Sequence, residues 1–239
     1  MRKITAIVLC MATAISFSAC SSKDNSQDSQ VKTETRTESE STTAANKNDE
    51  TGSSQSKEGK SNILIAYFGV PETDGTDTEA GASRVASGGE VLGNNQYIAQ
   101  MIQQETGGDL FEIETVQKYP GTHEELLEFA YEELQDDARP ELSTQIENLD
   151  DYDTIFLGYP NWNADLPMPL YTFLEEYDLS GKTIIPFTTH GGSGFAGTIQ
   201  TIESLQPNAT VNENGLSISR NSVADAKSDV VDWVNDLEL

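Results

Sequence analysis

Thr154-Ile155-Phe156-Leu157-Gly158-Tyr159-Pro160, followed directly by Asn161-Trp162-Asn163-Ala164-Asp165-Leu166-Pro167, is the stretch that decides how the chain is read. Its first half is an apolar run of strand length. An apolar run without polar alternation belongs to a strand buried on both faces, as in the interior of a parallel sheet. Its second half is polar, ends in a proline and carries a tryptophan at its tip. A buried strand that empties into such a loop is how an open α/β sheet builds a site for a flat ligand.

Outward from this stretch the same pattern repeats. Asn62-Ile63-Leu64-Ile65-Ala66-Tyr67-Phe68 reads as a first buried strand, and Leu110-Phe111-Glu112-Ile113-Glu114 as a second. Thr183-Ile184-Ile185-Pro186-Phe187-Thr188-Thr189 is a fourth, and residues 209–219 hold a fifth with a bend at Asn214-Gly215. Helices are expected between them. One opens at Gly93-Asn94-Asn95, buries Ile98, Met101 and Ile102, and ends at Gly107-Gly108. Another runs over residues 122–135 with Thr122 as its cap and Leu127, Ala130, Tyr131 and Leu134 facing inward. A third covers residues 167–177, its prolines in the first turn where they are tolerated. The last two cover residues 195–205 and the region of Val223, Val230, Val231, Val234 and Leu237. Residues 69–90 read as a long surface excursion. Strands alternating with helices predict an α/β three-layer sandwich: a five-stranded parallel sheet in the order 2-1-3-4-5, with helices on both faces.

Only residues 62–239 are available for this fold. Met1-Arg2-Lys3, an apolar run over residues 4–15 and Ser16-Phe17-Ser18-Ala19 form a secretory signal over residues 1–19. The run is shorter than a comfortable membrane span, which disfavours a transmembrane anchor. Phe17-Ser18-Ala19-Cys20 resembles the bacterial lipobox, which implies a lipid on Cys20 and an extracytoplasmic, membrane-anchored protein. Ser, Thr, Asn, Gln, Glu and Lys dominate residues 21–61, too polar to bury a core, so residues 20–61 read as a lipidated cysteine and a solvated tether. A flexible chain of roughly 40 residues spans on the order of 35 Å. The chain's two cysteines are Cys10 and Cys20, so residues 62–239 hold no thiol for a disulfide, a nucleophile or a metal. The formal charge of −26 opposes nucleic-acid binding and favours basic partners.

In an open parallel sheet, ligands bind beyond the C-terminal strand ends at the switch point, where the loops after strands one, three and four meet. Those loops hold the unusual residues here. Gly93-Asn94-Asn95 opens a helix, whose N-terminus suits an anion. Trp162 offers a stacking face. Thr188-Thr189-His190-Gly191-Gly192-Ser193-Gly194 allows close backbone approach.

These blocks carry a family resemblance. Ile65-Ala66-Tyr67-Phe68, Leu157-Gly158-Tyr159-Pro160 through Trp162 to Pro167-Met168-Pro169, and Ile185-Pro186-Phe187 through Gly194 make residues 62–239 resemble the flavodoxin family, in particular the compact domains of bacterial secreted lipoproteins and oxidoreductases. The resemblance implies non-covalent FMN. It also implies electron transfer to a partner protein or small acceptor, and a cofactor site built from Phe68, Gly69, Gly93, Asn94, Asn95, Pro160, Asn161, Trp162, Asn163, Thr189, His190, Gly191, Gly192, Ser193 and Gly194. Two departures stand out. Gly69 replaces the first hydroxyl of the family's phosphate loop, with some twenty residues intervening before Gly93. Asn163 follows Trp162 where a second Trp is common. A carboxylate near a reduced flavin, such as Asp165, would lower its potential.

Other readings remain beside it. His190 and His123 lack metal-ligand spacing. Ser193 lacks a Gly-x-Ser-x-Gly elbow. Phe68 and Tyr159 stand where a receiver domain needs acids. No side chain reads as a catalytic acid, base or nucleophile. The open alternatives are a flavin-free binding module and an FMN-dependent quinone-type reductase.

Overall fold

The computed structural model describes residues 62–73, 84–87, 90–237 and 239, all within a unit spanning residues 56–239. The signal segment, Cys20 and the tether lie outside the described residues.

The elements in chain order are β1 (Ile63–Tyr67), β2 (Arg84–Ser87), β3 (Glu90–Gly93), α1 (Asn94–Thr106), β4 (Asp109–Glu112), α2 (His123–Gln135), β5 (Thr154–Pro160), α3 (Met168–Glu176), β6 (Thr183–His190), α4 (Thr198–Leu205), β7 (Thr210–Val211), β8 (Leu216–Ser219) and α5 (Lys227–Asp236). The main sheet runs β4-β1-β5-β6, with β7 and β8 both pairing β6. Every pairing in it is parallel. The fifth strand is thus split: β7 pairs the start of β6 and β8 its end, with the Asn214-Gly215 bend between. This is the 2-1-3-4-5 order that the sequence predicts.

The sheet is buried on both faces, which is why its strands read as unbroken apolar runs. Ile63, Ile65, Tyr67, Phe156, Ile185 and Phe187 face one core, shared with α1 and α5. Leu64, Ala66, Ile155, Leu157, Tyr159 and Ile184 face the other, shared with α3 and α4. Each fully buried large apolar side chain contributes about 1.5–3 kcal/mol. In register, Tyr67, Gly158 and Phe187 lie side by side across β1, β5 and β6. Gly158 is what gives the Phe187 ring its place: a Cβ there would lie 2.1 Å from the ring.

Two expectations are corrected. The excursion after β1 contains regular structure, because Arg84–Ser87 pairs antiparallel with Glu90–Gly93. In α2 the inward residues are Leu126, Ala130 and Glu133, whereas Leu127 and Tyr131 are half exposed. The sequence phase failed because a glutamate sits on the buried face. Glu133 is tolerated there because Tyr119 Oη donates to both its oxygens (2.8 and 3.0 Å) and Gln117 Nε2 donates at 2.5 Å. Burial raises the Glu133 carboxyl above its ordinary pKa. Among the described residues no helix is long and apolar enough to cross a membrane.

Candidate functional site

The C-terminal ends of β5 and β6 open into a cleft. Pro160, Asn161, Trp162 and Asn163 line it from β5 and the loop beyond. Thr189, His190 and Gly191 line it from β6 and its loop, and Asn94 from the start of α1. These eight come from the set that the sequence singles out. The structure adds Glu72 from the segment after β1, His123, Leu126, Leu127 and Ala130 from α2, and Arg220 after β8.

The remaining sequence candidates stand around this cleft rather than in its wall. Phe68 is buried behind Trp162, their rings edge to face at 5.6 Å. With Gly69 it lines a neighbouring depression beside Glu112, Glu114 and Lys118. Gly93 closes the β2–β3 ladder opposite Arg84, and its N–H donates to Gln96 Oε1 (3.2 Å), which fixes the start of α1. Asn95 is buried and donates from Nδ2 to Thr189 Oγ1 (3.1 Å), tying α1 to the end of β6. Gly192, Ser193 and Gly194 shape the loop. Gly192 (φ +135°) and Gly194 (φ +59°) hold backbone conformations that L side chains rarely adopt.

Trp162 is set by a tight turn. Its N–H donates to Asp165 O (3.1 Å) and the Asp165 N–H donates back (2.9 Å), with Asn163 (φ +53°) and Ala164 (φ +62°) between. Two successive left-handed residues are the geometry of a two-residue hairpin turn, and Asn tolerates it well. Asp165 Oδ1 accepts from Leu166 N–H (2.8 Å) and Tyr171 Oη (3.0 Å). Its carboxylate therefore closes the loop and is not part of the cleft wall, so the tuning role expected for it has no support in its position. Burial and Asp165 push the Tyr171 hydroxyl up to about 12.

The two tryptophan-side and glycine-side loops are bound together. Asn161 N–H donates to Thr189 O (2.8 Å), and Asn161 Nδ2 donates to Gly194 O (3.0 Å) and Phe195 O (3.2 Å). Asn161 Oδ1 and Asn95 Oδ1 are buried acceptors with no hydrogen-bond partner among the described residues. At the far side, Arg220 presses its guanidinium against Gly191, where an added Cβ would sit 2.9 Å from a guanidinium nitrogen.

The chain's two histidines both line this cleft. His190 Nδ1 accepts the Gly192 N–H (2.9 Å), which places the proton of the neutral ring on Nε2. Burial lowers the His190 pKa from its ordinary value. The neutral ring, and with it the loop's hydrogen bond, is therefore secure above the ordinary histidine range and is lost as pH falls through His190's own lower value. His190→Asn keeps an acceptor at the Nδ1 position without a titrating ring. The urea midpoint of the wild type is expected to fall more between pH 7 and pH 5 than that of His190→Asn. Equal slopes would show that this hydrogen bond does not respond to pH.

The cleft wall thus combines two kinds of group. Arg220, Asn94 and the N-terminus of α1 suit an anion. Trp162, Leu126, Leu127 and Ala130 suit a flat apolar ring system.

The flavodoxin family profile matches residues 83–237, more than half of the chain. Among solved structures, a protein from Bacteroides eggerthii assigned as a flavoprotein is similar at 24% identity, covering 74% of this chain and 98% of that one with a TM-score of 0.56. Another from Bacteroides uniformis is similar at 25% identity, covering 68% and 95%, with a TM-score of 0.52. A flavoprotein in complex with FMN from Lactobacillus acidophilus matches at 19% identity over 70% and 97%, with a TM-score of 0.47. Comparison with curated proteins gives no match. With its parallel sheet, its strand order and this profile match, the chain belongs to the flavodoxin family.

Proposed function

We propose that this protein binds FMN in the cleft between β5, β6 and α2 and transfers electrons outside the cytoplasmic membrane, held there by a lipid on Cys20. The observation that carries the reading is the mixed lining of a single cleft: a cation and a helix start, Arg220 and Asn94, together with a tryptophan and aliphatic side chains, Trp162, Leu126 and Leu127. FMN combines a phosphate with a largely apolar ring system. The buried acceptor Asn161 Oδ1 marks where this wall has unused hydrogen-bonding capacity for a ligand with donors.

When bound, FMN supplies the electron-transfer chemistry. The chain's residues hold and orient it. Arg220 and the α1 start neutralise the phosphate, a task that hydroxyls of the family's phosphate loop would otherwise share. Trp162 supplies area and stacking. Thr189, His190 and Gly191 meet the ring edge. The anchor and the extracytoplasmic location rest on the N-terminal sequence, and the redox partner is a protein or small acceptor.

The test is a titration of the full-length protein with FMN and with riboflavin. Quenching of flavin fluorescence with micromolar affinity, a yellow band retained through desalting, and weaker binding of riboflavin are expected. No quenching at micromolar FMN would contradict the reading and favour a flavin-free binding module. Incorporation of an alkyne-tagged fatty acid that disappears in Cys20→Ser checks the anchor.

A further inference from the structure

Behind Trp162 stands a cluster of aromatic rings with Tyr119 at its centre. Tyr119 meets Phe68 at 5.7 Å, Phe129 at 5.2 Å and Trp162 at 5.8 Å. The polar end of the Tyr119 ring is held from α2. Both Glu133 oxygens accept from Tyr119 Oη, and Glu133 Oε1 also accepts from Gln117 Nε2. Glu133 is 7% exposed and stands outside the wall of the Trp162 cleft. It lines a separate depression with Gln117, Phe129, Glu132, Asp136 and Arg139. Arg139 is engaged there by Glu175 (2.8 Å) and Asp137 (2.8 Å), so among the described residues no cation bonds Glu133. Burial holds the Glu133 carboxyl above its ordinary range, whereas burial and the nearby Glu133 push the Tyr119 hydroxyl up, so that it keeps its proton. Ionised, Glu133 accepts from both neighbours. Protonated, one of its oxygens becomes a donor set against a donor, and the grip on Tyr119 loosens.

We propose that Glu133 is a positioning residue for the ring-binding face of the cleft: its carboxylate fixes Tyr119, and Tyr119 fixes the plane that Trp162 presents to a flat ligand. The identity of that ligand rests on the FMN reading above. Ring binding then depends on a proton held outside the cleft wall, and ring affinity falls as pH falls through Glu133's own raised value. Stability tied to the same group moves the other way. A carboxyl whose folded pKa is raised contributes most below the ordinary glutamate range, and that contribution is lost as pH rises through the raised value. A residue that only held the fold together would thus weaken the protein at the pH where Glu133 supports ring binding best.

The test measures binding of FMN and of lumiflavin, the ring system without its phosphate, to the full-length protein between pH 5 and pH 8. At pH 8, Glu133→Gln and Tyr119→Phe should each weaken lumiflavin binding roughly 3- to 10-fold, and the double variant no more than either. Glu133→Gln should also remove the part of the wild-type pH dependence that lies above the ordinary glutamate range. Glu72, His123, His190 and Arg220 of the cleft wall are common to both proteins, so their titration cancels in that comparison. In a Trp162→Ala background the effect of Glu133→Gln should vanish. In the flavin-free protein, the indole N–H resonance of Trp162, identified by its loss in Trp162→Ala, should shift over the same pH range in the wild type and stay fixed in Glu133→Gln. Unchanged ring affinity in Glu133→Gln, additive losses in the double variant, or a loss that persists without Trp162 would overturn the assignment. Any of these with FMN still bound overturns it alone. Absence of FMN binding overturns the FMN reading, and the indole resonance then decides by itself whether Glu133 positions Trp162.

Discussion

Trp162→Ala should weaken FMN binding on the order of 10- to 100-fold, the scale of about 1–3 kcal/mol found for an aromatic face stacked on a base-like ring. The expectation rests on how the side chain is held. Phe68 meets it edge to face at 5.6 Å and Tyr119 at 5.8 Å with the planes tilted by 52°. Tyr119 is in turn fixed by its two hydrogen bonds to the buried Glu133 and by Phe129 at 5.2 Å. The indole therefore sits in the cleft wall as a pre-oriented plate, and little ordering cost remains to be met on binding. Trp162→Phe should retain most of the affinity, because the hairpin turn at Asn163 and Ala164 still presents a ring. Flavin fluorescence titration reads both variants. An unchanged dissociation constant in Trp162→Ala would remove this residue from the site.

The second large effect concerns stability. Gly158→Ala is expected to destabilise the fold by about 3 kcal/mol. The new methyl would lie 2.1, 2.3 and 2.8 Å from three carbons of the Phe187 ring, and Phe187 is fully buried in the core beneath α1 and α5. Neither neighbour can yield cheaply, since β5 pairs with strands on both sides and β6 does likewise. Urea unfolding checks the size of the loss. Trimming the ring in the double variant Gly158→Ala, Phe187→Leu should recover part of it. A shift below about 0.5 kcal/mol in the single variant would mean that the central sheet relaxes more freely than its close packing allows.

Both arguments start from the stretch at residues 154–167, and both show what a sequence makes legible. The strands were readable because a sheet buried on both faces leaves continuous apolar runs, and the order followed from their alternation with helices. The tryptophan loop and the glycine loop were readable because turns impose residue types. Asn163 stands at a left-handed position, and glycines 192 and 194 at two more. The phase of α2 was not readable. Its buried face includes Glu133, and a buried glutamate becomes intelligible only once Tyr119 and Gln117, from the loop before the helix, are seen to satisfy it.

The same limit governs the site. Glu72, His123 and Arg220 come from three separate segments, and no spacing rule links them. Two signals were available. One was that the chain holds only two histidines, and the other that so acidic a domain has few cations, one of which follows directly on the fifth strand. Scarcity marks residues of interest, but only the fold gathers them into one wall. The excursion after β1, read as an insertion in the phosphate loop, places its first residues against α2 and its last in a hairpin leading to α1.

The account depends most directly on where a flavin sits. A crystal structure of the full-length protein grown with FMN measures this. The expected result is an isoalloxazine ring against Trp162 with its edge at residues 189–191, and the phosphate at the start of α1 beside Arg220. FMN bound instead in the depression beside Phe68, Glu112 and Lys118, or no FMN at millimolar concentration, would contradict it.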